Sequence, residues 1–152
     1  MVYLEDSDTA RSVSVKVIDT EFAIYGPPGL DVGCLVASYV LSCLHCAVVG
    51  ADPEQIRAFY TAIAAIRDAY RSTMRTLKVP EAKLDEISSD VVGFAGCKVS
   101  RNALHGLPIS DKDNKKLADE TALALGVKFI KERSHGVGRL LVAIDEACCS
   151  KC

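Results

Sequence analysis

Two carboxylates, Asp19 and Glu21, stand two residues apart in the run Val17-Ile-Asp-Thr-Glu-Phe-Ala-Ile-Tyr-Gly-Pro-Pro-Gly-Leu-Asp-Val-Gly33, which closes on a third acid, Asp31. Residues two apart in a strand point to the same face, so this pair could reach one hard cation. Mg2+ takes one or two carboxylates and completes its shell with water and phosphate oxygens. The chemistry implied is that of a phosphate ester held beside a divalent ion. Asp-x-Glu alone is weak support, because surface strands carry such pairs by chance.

Other residues that could ligate or react have plainer readings. Cys43-Leu-His-Cys46 has metal-like spacing, but no second cysteine pair follows at zinc-finger distance. Cys34, Cys43, Cys46 and Cys97 sit among apolar neighbours, where cysteine commonly acts as a small hydrophobe. His105 and His135 both adjoin glycine in segments that read as helix ends, and neither has an apparent nucleophile partner, so both read as surface residues. The ending Cys148-Cys-Ser-Lys-Cys152 lacks the aliphatic middle of a prenylation box and reads as an unstructured Cys-rich tail.

The elements that must position the acids follow from periodicity. Val13, Val15 and Val17 alternate along a predicted strand, with Val2 to Leu4 as its hairpin partner and the polar stretch Glu5 to Ser12 as the connection. Gly26-Pro27-Pro28-Gly29 breaks the chain and Asp31 stands at an expected helix N-cap. From Val32 to Ala51 no charge occurs, which fits a membrane span by length and equally a helix apolar all round at the centre of a helical lobe. Ser38, Ser42 and His45, with no Lys or Arg at either edge, favour the second.

Asp52-Pro53-Glu54 opens the next helix, with proline at the first helical position, and its apolar stripe from Ile56 to Met74 carries it to about Leu77. Val79-Pro80 ends it. Further helices are expected over Leu84 to Leu104, Asn114 to Arg133 and Arg139 to Ala147. The fold class is therefore mainly α, a short β-hairpin followed by four or five packed helices. Residues 1–33 hold the hairpin and metal segment, 34–147 the helical part, and 148–152 the tail.

With 152 residues, 49% apolar and 25% charged, the chain fits one domain with its own core. A formal net charge of −2 gives no basic footprint for nucleic acid. The start Met1-Val-Tyr-Leu-Glu-Asp-Ser-Asp has neither a cationic region nor a long apolar run, so the expected compartment is the cytosol, where cysteines stay reduced.

Asp19 to Gly33 resembles the metal-binding segment of the choline kinase and aminoglycoside phosphotransferase superfamily, and more particularly that of S-methyl-5-thioribose kinases, whose form is Asp-Pro-Glu-Phe-Ala-Phe-Tyr-Gly-Pro followed by Gly-Phe-Asp-Ile-Gly. A second string, Gly93-Phe-Ala-Gly-Cys-Lys-Val-Ser-Arg101, resembles that family's Phe-Ala-Gly-Cys-Lys-Met-Ile-Arg-Arg. The resemblance implies the C-terminal part of a protein-kinase-like C-lobe. It implies Mg2+ and ATP as cofactors, with Asp19 and Glu21 as metal ligands, Asp31 as a structural brace for a catalytic loop and Arg101 near the sugar. It implies a small-molecule sugar substrate, phosphorylated at its anomeric hydroxyl in methionine salvage, without nucleic acid or membrane, and leaves room for a homodimer.

The chain departs from the family at three places. Asp-Thr-Glu replaces Asp-Pro-Glu, Asn102 stands where a second arginine is expected, and Pro108 falls near an expected histidine. Neither a His-x-Asp catalytic loop nor a glycine-rich loop with its lysine is found, so the expectation is a fragment of the catalytic unit. The alternatives are another small-molecule kinase of the superfamily or a noncatalytic helical module.

Overall fold

The computed structural model describes residues 2–5, 14–17 and 25–149. Two short strands, β1 (Val2–Glu5) and β2 (Ser14–Val17), pair antiparallel in the register Val2↔Val17 and Leu4↔Val15. Five helices then follow: α1 (Gly29–Val48), α2 (Pro53–Thr76), α3 (Glu81–His105), α4 (Lys112–Glu132) and α5 (Gly136–Cys149), with a 3₁₀ turn over Arg133–His135 before the last. The mainly helical expectation holds.

The helix starts follow local chemistry. Asp52 caps α2, accepting from the Glu54 N–H at 2.9 Å, with Pro53 as first helical residue. Asp111 does the same for α4, accepting from Asn114 N–H at 2.8 Å. At α1 the expected cap is corrected: Pro28 is the N-cap and Asp31 lies inside the first turn. The Leu30 N–H already reaches the Pro27 carbonyl at 3.0 Å, so the Pro-Pro pair starts the helix before Asp31 is reached. There Asp31 still faces the positive end of the helix dipole.

The helices α1 and α3 run parallel. Gly29 lies against Asp90 and Val91, Gly33 against Val91 and Ala95, and Cys34 and Ser38 against Lys98. A parallel pair needs a return segment, and α2 supplies it. Only Ile63 of α2 is fully buried, with Phe59, Tyr60 and Ile66 partly covered. The next helix, α4, comes back antiparallel to α3, crossing it at Gly96 and Gly126, and α5 closes the bundle through Val137, Leu140, Leu141 and Ile144. The expected start of an unstructured tail at Cys148 is corrected, since α5 runs to Cys149 and Cys148 is buried in the core.

Buried Val36, Val40, Leu44, Val92, Val99 and Phe129 form the centre. Among the described residues, α1 is the helix long and apolar enough to cross a membrane by length and composition. The expectation of a helix buried all round is corrected. Val36, Ala37, Val40, Cys43 and Leu44 are buried, while Asp31, Leu35, Ser38 and His45 lie exposed. Beyond Asp31, the solvent face is formed by uncharged residues, Leu35, Ser38 and His45.

Candidate functional site

Asp19 and Glu21, the expected metal ligands, lie outside the described residues. What is described is the frame directly after them. Gly29 and Gly33 end the first matched string and press on the backbone of α3. A β-carbon at Gly29 would stand 2.9 Å from the Val91 nitrogen, and one at Gly33 2.7 Å from the Val91 carbonyl oxygen. Contacts that short to a backbone cannot be relieved by a rotamer change, so both positions exclude side chains. The two strings that carry the resemblance thus pack together, although some sixty residues separate them in the chain.

The second string lies wholly on α3, and most of it serves packing. Ala95 and Val99 are buried against the core, and Gly96 admits the backbone of α4. Lys98 extends its ammonium to α1, donating to the Cys34 carbonyl at 3.0 Å and to the Ser38 hydroxyl at 3.2 Å. That hydroxyl itself donates to the Cys34 carbonyl at 3.1 Å. A charge-assisted bond of this kind fixes the axial offset of the two helices.

Arg101, one turn beyond Lys98, is exposed on α3 and open to solvent-borne groups. Asp31 is also exposed, at the other end of the helix pair. Because Gly33 meets α3 near Val91 and Ala95, nine or ten residues of rise separate Asp31 from the level of Arg101, roughly 15 Å. The two residues share a helix pair without sharing a site.

Asn102 points about 100° around the helix from Arg101. It lines a groove with Ser42 and His45 of α1, Phe59 of α2 and His105 of α3. His105 is exposed, as expected for a surface residue, and stands at the rim of this groove. No sequence signal marks the groove, which arises from the parallel run of α1 and α3 bringing His45 and His105 to the same end of the bundle. Among the described residues no three His, Cys, Asp or Glu side chains converge to hold a metal.

In comparison with known proteins, the chain is 32% identical to the methylthioribose kinase of Bacillus cereus (strain AH187) over 139 residues, covering 78% of this chain and 34% of the relative. It is 30% identical to that of Geobacillus thermodenitrificans (strain NG80-2) over 150 residues, covering 88% of this chain and 36% of the relative. Most of this chain is related to methylthioribose kinases. It spans about a third of the length of the curated methylthioribose kinases it matches. No protein-family model matches the chain, and no solved structure matches it.

Proposed function

We propose that these residues are the C-terminal part of a protein-kinase-like lobe in an ATP-dependent sugar kinase of the methylthioribose kinase type, acting on the anomeric hydroxyl of 5-methylthioribose. The observation that carries this reading is the similarity to methylthioribose kinases over 78% of the chain. It is joined by the packing of the two matched strings against each other through Gly29, Gly33 and α3. A cytosolic setting goes with this reading.

The donor set suits Mg2+: Asp19 and Glu21 are hard oxygen ligands two residues apart, and the ion keeps free positions for phosphate. When bound, Mg2+ neutralises charge on the terminal phosphates during transfer. The chain's own contributions are then separable. Asp19 and Glu21 hold the ion, Asp31 braces the start of α1 against the catalytic loop, and Arg101 offers a guanidinium to the sugar or its reacting end.

Asn102 favours a second reading, a kinase of the same superfamily with a different small-molecule alcohol as acceptor. An amide cannot supply the fixed cationic fork of an arginine, so a contact made by the second arginine of the family is lost here.

The test is an ADP-release assay on the complete product of the coding locus, run with 5-methylthioribose, choline and an aminoglycoside. Turnover with 5-methylthioribose, lowered about a hundredfold or more by Asp19→Asn, is the expected result, in line with the loss of one transition-state charge stabiliser. Turnover indifferent to Asp19→Asn would remove the ligand assignment. Preference for another acceptor would replace the substrate.

A further inference from the structure

A groove of about 460 Å3, within the size range of small-molecule sites, lies where the first half of α2 meets the end of α5. Its α2 wall is one helical stripe, Pro53, Ile56, Arg57, Tyr60 and Thr61. Its α5 wall is Ile144, Asp145 and Cys148. None of the residues given a role in the kinase reading lies on α2 or α5.

The groove is apolar at its floor and charged at its rim. Ile144 and Cys148 are buried beneath it, with half-buried Ile56 and Tyr60 beside them. Arg57 and Asp145 are exposed, one on each wall, and neither is in an ion pair among the described residues. The charged groups next to them along the chain are turned elsewhere. Asp52 accepts from the Glu54 N–H, Glu54 does not line the groove, and Glu146 accepts from Lys128 and Arg139. A lone surface charge marks nothing, since such groups are ordinarily solvated. Two of opposite sign over one apolar floor define a charge pattern that a ligand has to match.

A phosphate drawn to Arg57 would be repelled by Asp145, and a polyamine drawn to Asp145 would be repelled by Arg57. An uncharged ligand would desolvate both groups and pair neither. A ligand carrying one carboxylate and one ammonium satisfies both. We infer that this groove binds an apolar α-amino acid as its zwitterion. Its carboxylate takes two parallel N–H donors from the Arg57 guanidinium, and its ammonium donates to the Asp145 carboxylate. Its side chain lies on Ile56 and Ile144, out of water. Thr61 is half-committed, since its hydroxyl donates to the Arg57 backbone carbonyl at 2.8 Å and keeps its lone pairs for an incoming N–H.

The inference is tested by titrating the ¹⁵N-labelled 152-residue chain with L-leucine in the absence of ATP and Mg2+. Saturable shifts along residues 53–61 and 144–148 are expected. Leucinamide, which lacks the carboxylate, and N-acetyl-leucine, which lacks the ammonium, should each bind roughly tenfold or more weakly, the worth of one charge-assisted hydrogen bond. Glycine, which lacks the side chain, should also bind more weakly. Arg57→Gln should weaken leucine and leave leucinamide unchanged, whereas Asp145→Asn should weaken leucine and leave N-acetyl-leucine unchanged. Both positions are exposed, so both variants keep the bundle, which their backbone spectra report. No saturable leucine response, equal binding of leucinamide, N-acetyl-leucine or glycine, or leucine binding undiminished in either variant would each overturn the proposal. None of these readouts depends on kinase activity, so the two proposals can fail separately.

Discussion

Gly96 and Gly126 face each other where α3 crosses α4. A β-carbon at Gly96 would lie 2.7 Å from the Gly126 carbonyl oxygen, and one at Gly126 would lie 2.8 Å from that of Gly96. The contact is backbone against backbone, so neither helix can yield without moving the other. It also gives Gly96, a member of the second matched string, a structural reason to be glycine.

Gly126→Ala should therefore destabilise the fold even though alanine is the better helix former by about 1 kcal/mol. Overpacking of this kind costs about 1–3 kcal/mol, and the displaced backbone places this site at the upper end. Gly138→Ala is the counterpart, for nothing lies within 4 Å of its would-be β-carbon on α5. Thermal unfolding should show a lower Tm for Gly126→Ala and a slightly higher one for Gly138→Ala. Equal shifts would mean that the crossing is looser than described.

Tyr70 presents the opposite case, a polar atom whose removal should help. Its hydroxyl is buried with no hydrogen-bond partner among the described residues, beside a small cavity of about 20 Å3 lined by Val32, Val36, Leu84 and Ile87. Burial also pushes its phenol above the ordinary range. An unmatched buried hydroxyl costs about 1–3 kcal/mol, so Tyr70→Phe should be neutral or stabilising by up to about 1 kcal/mol. A denaturant midpoint clearly below that of the parent would show that the hydroxyl is satisfied.

The turn between α2 and α3 is pinned by charge. Glu81 accepts from Arg75 at 2.6 and 3.1 Å and from Arg71 at 2.7 Å, and Arg71 also donates to Asp85 at 2.9 Å. The Arg75 and then the Arg71 guanidinium hold the Glu81 carboxyl down from 4.5 to about 2. A carboxylate lowered on folding contributes stability that is complete above about pH 4.5 and fades as pH falls through about 2. Side-chain ¹³C titration should find Glu81 ionised well below the other glutamates, and Arg75→Gln should move its midpoint back toward 4.5. The group is exposed, so added salt should shrink the difference.

The helices were legible because their punctuation is local. Asp52-Pro53 announces α2 without help from the rest of the chain, and the structure places the cap there. Apolar periodicity located α3 from Leu84, whereas the helix starts at Glu81, immediately after Pro80. Proline and an acid make a good first turn but contribute nothing to an apolar stripe. The pairing of α1 with α3 was not legible, because it rests on Gly29 and Gly33 admitting a neighbouring backbone, and a glycine in sequence gives no sign of which neighbour it admits. For the same reason Arg101 and Asp31 could be named from matched strings while their separation could not. The groove at Asn102 is a product of that pairing and has no linear signature.

The parallel run of α1 and α3 also bears on how the chain may be lengthened or cut. The Lys98–Ser38 contact closes 60 residues, about twice the separation of Gly96 and Gly126, and a doubling of loop length costs only about 0.6 kcal/mol in chain entropy. Entropy therefore does not fix the length of α2. Reach does: its 24 residues span about 36 Å, enough to carry the chain back past the 20 residues of α1. Substitution along its outer face should be tolerated freely, whereas deleting two turns from its middle would shorten the return and pull the first turns of α3 out of place.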